Sequence, residues 1–301
     1  YVELVVEGWQ RPSQWLPIPA VGDSEQVVYA LNAVWDTVVN PCALLCNGTG
    51  LGYTVDWGDG TITNYAFNVK AERNYVYSSL NAATEFRGYR QSLIKVTPQA
   101  GATIDQVSFS QRHSSYNSYV YHTGLLDVHI NINVTNLLPF TYGIHNNTRV
   151  DHSNIENIFL KGYVPTDMYS MFLSMNSLQK VNAFDTSHVT TINSAFSYCY
   201  AIQEIPAFNF GNVTNADQAF QSTKQLKSLK ATDFRKVTSA SRMFGDSSII
   251  DISNLQFRDL INIYLFNYSS GAIIYWCDFS QCNSIAGNVD YSFYLVGTDI
   301  F

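Results

Sequence analysis

Apolar residues along this chain follow two different periods. In the first half they alternate with polar ones. Tyr53, Val55 and Trp57 are separated by Thr54 and Asp56, and Thr61–Tyr65 follows after Asp59-Gly60. A period of two marks a half-buried strand, and Asp-Gly accepts the positive φ of a tight hairpin, so Asp59 and Gly60 are expected at a turn. Val128, Ile130, Ile132 and Val134 alternate with His129, Asn131 and Asn133, which predicts a second strand over 127–134.

In the second half the period becomes 24. Phe172, Phe196, Phe220 and Phe244 are each 24 residues apart, and six residues after each stands Leu178, Ile202, Leu226 or Ile250. Val181, Ile205 and Leu229 repeat with them, as do Val189, Val213 and Val237. Val189, Ile192, Ala195 and Phe196 have helical spacing, echoed by Val213, Ala216, Ala219 and Phe220 and by Val237, Ala240, Met243 and Phe244. This predicts a short helix of about two turns in each unit. Pro165 stands at the Val position of the first copy, where a helix tolerates it. Short extended stretches are expected over Leu178–Phe184, Ile202–Phe208 and Leu226–Thr232, with turn residues such as Asp185-Thr186-Ser187 and Gly211-Asn212 between units. A fifth, frayed copy (Leu260, Ile263, Phe266, Ile273) fits if the period shortens by two. One unit cannot bury its apolar side alone, so the four phenylalanines and their aliphatics are expected to form one shared core.

These periods divide the chain into an N-terminal arm over 1–22, an all-β module over 23–110, a β-rich connector with a Tyr-rich loop over 111–152, and repeats over 153–301 with an irregular C-terminal end. The composition narrows the function. Charged residues make up 14% of the 301 and the net charge is −7, with no basic stripe, which argues against nucleic acid as a partner. No stretch approaches the ~20 apolar residues of a membrane span, so insertion is not expected. The start, Tyr1-Val2-Glu3-Leu4, lacks Met and the pattern of a signal peptide, and is expected to belong to a processed chain or to a piece of a longer product. Cys42, Cys46, Cys199, Cys277 and Cys282 are odd in number and lack completing ligands, and read as buried free thiols. Sequons at Asn47, Asn133, Asn146, Asn212 and Asn267 read as incidental in so Asn-, Ser- and Thr-rich a chain.

Candidate chemistry is sparse. There is no nucleophile elbow, phosphate-binding glycine loop or metal-ligand cluster, so no catalytic, cofactor-binding or metal residue is expected. Asp56 and Asp59 read as turn residues bonding local backbone N–H groups, and His122 and His129 as residues of a solvated strand face. Aromatics reach 14%, and Tyr offers a rigid apolar body with a polar tip suited to binding. Tyr116, Tyr119 and Tyr121 in the loop over 114–124, and Tyr198 and Tyr200 in the repeats, are the candidate binding residues.

Three resemblances extend this reading. Met171-Phe172 with Leu178, then Asp185-Thr186-Ser187-His188-Val189-Thr190, resembles BspA-like leucine-rich repeats over about residues 153–275. Cys199 stands where that repeat often has Cys, while Met175, Thr223 and Ser247 replace it elsewhere. Trp57-Gly58-Asp59-Gly60 resembles the signature of PKD-type sandwich domains, with Arg73-Asn74-Tyr75 in place of their His-x-Tyr. The order of the two modules, flanked by Arg11-Pro12-Ser13-Gln14-Trp15-Leu16-Pro17 and Arg87-Gly88-Tyr89-Arg90-Gln91, is similar to a family of virion structural or tail-fibre-like proteins of marine tailed phages. The resemblance implies a multidomain fold, an all-β PKD-like (immunoglobulin-like) sandwich followed by a short leucine-rich-repeat α/β solenoid. It implies a non-enzymatic virion component acting in assembly and host attachment. Its partners would be other virion proteins, sister copies, or a host-surface glycan or protein. The rival readings are a bacterial cell-surface adhesin and a host-glycan depolymerase.

Overall fold

The computed structural model describes residues 8–260, apart from 37, 117–119, 135–139, 141–143, 146–147, 232 and 250–254. Tyr119, Ile250, Cys277, Cys282 and the frayed fifth copy beyond Leu260 therefore lie outside the described residues. The strands are β1 (Val27–Trp35), β2 (Asn40–Thr49), β3 (Tyr53–Asp56), β4 (Ile62–Tyr65), β5 (Ala71–Tyr75), β6 (Tyr89–Pro98), β7 (Thr103–Ser108), β8 (Val120–His122), β9 (Leu125–Val134), β10 (Ile144–His145), β11 (Thr148–Asp151), β12 (Asn157–Tyr163), β13 (Lys180–Val181), β14 (Asp233–Phe234) and β15 (Gln256–Phe257). The helical elements among the described residues are two 3₁₀ turns, Tyr77–Ser79 and Ala82–Thr84.

A seven-stranded sheet in the order β13-β12-β9-β1-β6-β3-β4 faces a three-stranded sheet in the order β5-β2-β7. Val28, Ala30 and Val34 of β1, Cys42, Leu44 and Cys46 of β2, and Val55, Ile94 and Val107 fill the space between them. The other face of β1 is also covered: Leu31 and Ala33 pack with Trp15, Tyr89 and Leu126, so the strand is buried on both sides. β3 and β4 form a hairpin with Asp56 opposite Ile62, closed by Gly58, Asp59 and Gly60. Gly58 has φ +72°, and a Cβ there would stand 2.5 Å from the Leu93 carbonyl oxygen, so only glycine fits so close to β6. Asp59 is held by Arg73 (Nε–Oδ2 2.7 Å), and the Tyr75 hydroxyl donates to the Trp57 carbonyl (2.8 Å), clasping the hairpin from β5.

β9 pairs antiparallel with β1 and parallel with β12, and β12 pairs parallel with β13. The large sheet thus runs from the hairpin into the first 24-residue unit. From there successive units lie one on the next. The N–H groups of Met168, Ser170, Phe172 and Ser174 donate to the carbonyls of Thr191, Asn193, Ala195 and Ser197, and the same four bonds recur one unit on, from Ile192, Ser194, Phe196 and Tyr198. Phe172, Phe196, Phe220 and Phe244 are fully buried and stack with centroid spacings of 4.9, 5.8 and 5.8 Å. Thr190, Thr214 and Thr238 form a ladder on the outside, each bonding the threonine carbonyl 24 residues earlier.

The expected helix in each unit, and with it the α/β character, is corrected: the units contain turns. In the first, Met171 N–H bonds the Met168 carbonyl and Met175 N–H the Phe172 carbonyl, making two four-residue turns in tandem. The third residue of each turn has positive φ, from 52° to 61°, at Ser170, Ser174, Ser194, Tyr198, Gln218, Ser222, Arg242 and Asp246. That conformation suits the third position of a type II turn and is foreign to an α-helix. Tandem turns still send residues 1, 4, 5 and 8 inward, so Met168, Met171, Phe172 and Met175 are all buried. This is the i, i+3, i+4, i+7 spacing of a helix, which is why the sequence pattern points to the wrong element. Of the expected extended stretches, Leu178–Phe184 contains β13.

Candidate binding surface

The tandem turns decide which side chains leave the stack. The second or third residue of a turn can leave it: Tyr169, Tyr198 and Arg242 are exposed at such positions, whereas Ser170, Ser174, Ser194 and Ser222 at third positions are buried. Tyr198 is such a residue: it holds φ +61° at the third position of the turn Phe196–Cys199 while its N–H bonds the Gln221 carbonyl at 2.8 Å. Tyr200 stands beside it, edge to face, with centroids 6.2 Å apart. They are 38% and 40% exposed, so the pair shows its rings to solvent from a rigid backbone. Tyr169, 53% exposed at the second position of a turn in the preceding unit, adds a third ring that the sequence reading did not single out. The signal was available: its column continues as Asn193, Asp217 and Ser241, a polar series marking an outward position.

The Tyr-rich loop is placed differently. Tyr116 is half-buried and lines a recess of about 270 Å³ with Trp35, Val38, Val39 and His122. Tyr121 lies in β8, with its side chain outside the described residues. Tyr116 thus belongs to a surface beside β1 and β2, separate from the one on the stack that carries Tyr198 and Tyr200.

The charged residues are mostly structural. Asp56 Oδ1 accepts from Gly58 N–H and Asp59 Oδ1 from Thr61 N–H, both at 3.0 Å. His129 Nε2 lies 3.1 Å from Asp127 Oδ1, and its ring rests against Phe159. Asp127 is fully buried. Burial pushes its carboxyl up, but the His129, Arg11 and Asn157 groups around it outweigh that and hold it below the ordinary carboxylate value. His152 is buried against Phe140 with Nδ1 3.1 Å from the Thr123 hydroxyl, and burial lowers it to about 4. Cys42, Cys46 and Cys199 are buried free thiols; burial raises Cys42 to about 12 and raises the other two as well. Such thiols stay protonated and unreactive. Among the described residues, no three His, Cys, Asp or Glu side chains are grouped to hold a metal ion, and no helix is long and apolar enough to cross a membrane.

The N-terminal arm borders the stack. Arg11 Nε reaches Asp127 at 2.6 Å, Trp15 Nε1 donates to the Tyr89 hydroxyl at 2.8 Å, and Trp9 Nε1 donates to Glu156 at 3.3 Å. Trp9 also packs against Trp15 with centroids 6.1 Å apart. The arm is a sequence-local segment made rigid by partners more than 70 residues away, which no local pattern announces.

Comparison with known proteins gives one match. A family model described as "Mycoplasma protein of unknown function, DUF285" matches residues 145–266, the part that holds β11, β12 and the stacked units. No curated protein and no solved structure matches the chain.

Proposed function

We propose that this chain acts by binding and not by catalysis, as a structural component of a tailed-phage virion that presents its stacked units to a partner. In this reading the stack is a short BspA-like leucine-rich-repeat solenoid with turns in place of helices, and the two facing sheets are a PKD-like module that docks to neighbouring virion proteins or to sister copies. The observation that carries it is the tandem-turn stack. Four rungs of buried phenylalanine and unit-to-unit hydrogen bonds hold an outer surface on which Tyr169, Tyr198 and Tyr200 are exposed in fixed positions. Rigid aromatic side chains on a preorganised scaffold lose little entropy on binding, which suits recognition. The order of modules along the chain supports the virion location.

Cryo-EM and mass spectrometry of purified particles test this reading. The chain is expected at a fixed site on every particle, with the stack pointing outward. A chain found in a bacterial envelope fraction and in no particle supports a bacterial adhesin instead. Release of reducing ends from host polysaccharide by the purified chain supports a depolymerase.

A further inference from the structure

The N-terminal arm and the stack enclose a groove of about 580 Å³. Trp9 stands at one side, and three successive units supply the other, through Gln179, Gln203, Lys227 and their neighbours. Gln179, Gln203 and Lys227 are spaced by 24, so each rung contributes one polar side chain, and the rungs repeat at 4.9–5.8 Å as judged from the buried rings. The indole cannot swing away, because Glu156 holds its Nε1 and Trp15 packs against its ring.

The charges are unbalanced in a telling way. The chain carries −7 overall, yet Lys180 and Lys227 line this groove with no carboxylate within ion-pair distance among the described residues. Glu204, also in the groove, is engaged by Lys230.

We infer that this groove binds a linear, carboxylated glycan, with Trp9 as the stacking platform, Gln179 and Gln203 bonding hydroxyls rung by rung, and Lys180 and Lys227 meeting carboxylates. The inference rests on the binding role proposed above and names the ligand class of that role. An indole offers its apolar face to the C–H face of a sugar ring. Primary amides both donate and accept, matching hydroxyls that do the same. Two lysines are too few for a nucleic-acid backbone, which calls for a basic stripe.

Titration calorimetry with an alginate hexasaccharide, a neutral cello-oligosaccharide of equal length and a glutamate-rich peptide tests it. Alginate is expected to bind, more weakly as salt rises, while the other two bind at least about tenfold less well. Trp9→Ala and the pair Lys180→Ala with Lys227→Ala should each lower alginate affinity by about tenfold or more. Gln203→Ala, at an exposed position that folding does not depend on, should lower it a few-fold. Leu51→Ala, at an exposed position of the sheet half outside the groove, should leave it unchanged. No alginate binding, equal binding of the neutral sugar or the acidic peptide, or affinity that survives the groove substitutions would overturn the inference. Particles that retain the chain and attach to host cells while alginate fails to bind would remove the groove and leave the binding role standing. Alginate binding by a chain missing from particles would do the reverse.

Discussion

The two halves of this molecule are stabilised in different ways. In the sheet half, partners come from far along the chain: β1 pairs with β6 some 60 residues on and with β9 about 100 on, and the arm crosses to Asp127. In the stacked half backbone partners lie two or three residues away within a turn, or 23–25 residues away, about one unit, in the adjoining coil. The buried polar groups differ accordingly. The sheet half holds charged or ionisable ones, Asp127, His152 and the nearly covered Asp59, each needing specific partners. The stacked half buries small neutral ones: the Thr223 hydroxyl donates to the Phe220 carbonyl and the Cys199 thiol to the Phe172 carbonyl. A repeat whose stability is a sum of neighbour terms can replace one unit's residues without disturbing a distant site, whereas the sheet half concentrates risk in a few buried charges.

The sharpest way to break this contrast is Phe196→Ala. The ring sits mid-ladder and touches Phe172, Phe208 and Phe220, so its loss should cost about 4 kcal/mol by urea unfolding. Hydrogen exchange should rise first over the four units while β1 and β6 stay protected; equal loss in both halves would show that they unfold as one. Acid should act the other way. His152 titrates near 4 when folded against about 6.5 when unfolded, so below pH 6.5 the unfolded chain takes up the proton more readily. Stability from this group is full above pH 6.5 and falls as pH drops, by about 3 kcal/mol once below 4. Urea titrations from pH 8 to 4 should show the fall in the wild type and a shallower one in His152→Gln.

Arg11→Ala should cost about 2 kcal/mol, because Asp127 keeps Asn157 and His129 but loses a charged partner at full burial. Detachment of the arm should then show as a change in the fluorescence of Trp9 and Trp15. The smallest expected effect is a gain: Arg242→Gly places glycine where φ is +54° at an exposed turn position, relieving left-handed strain against a greater entropy cost, for a net of about 0.5 kcal/mol. A loss there would mean the arginine stem contributes packing.

By itself the sequence determined the periods: alternation over Tyr53–Trp57 and Val128–Val134, and the return of phenylalanine every 24 residues. Those are linear patterns, and burial on one face writes them into any chain that folds this way. It also held the candidate tyrosines Tyr198 and Tyr200, though not their geometry. Tertiary structure alone decided that the inward residues of each unit belong to tandem turns, because turns with positive φ and helices place residues 1, 4, 5 and 8 on the same side. It alone decided that Arg73 would clasp Asp59, that Arg11 would neutralise Asp127, and that Trp9 would face a column of glutamines and lysines across a groove. These pairings join residues 14 to more than 200 positions apart, and sequence periodicity carries no information about which distant side chains will meet once the sheets and units have packed.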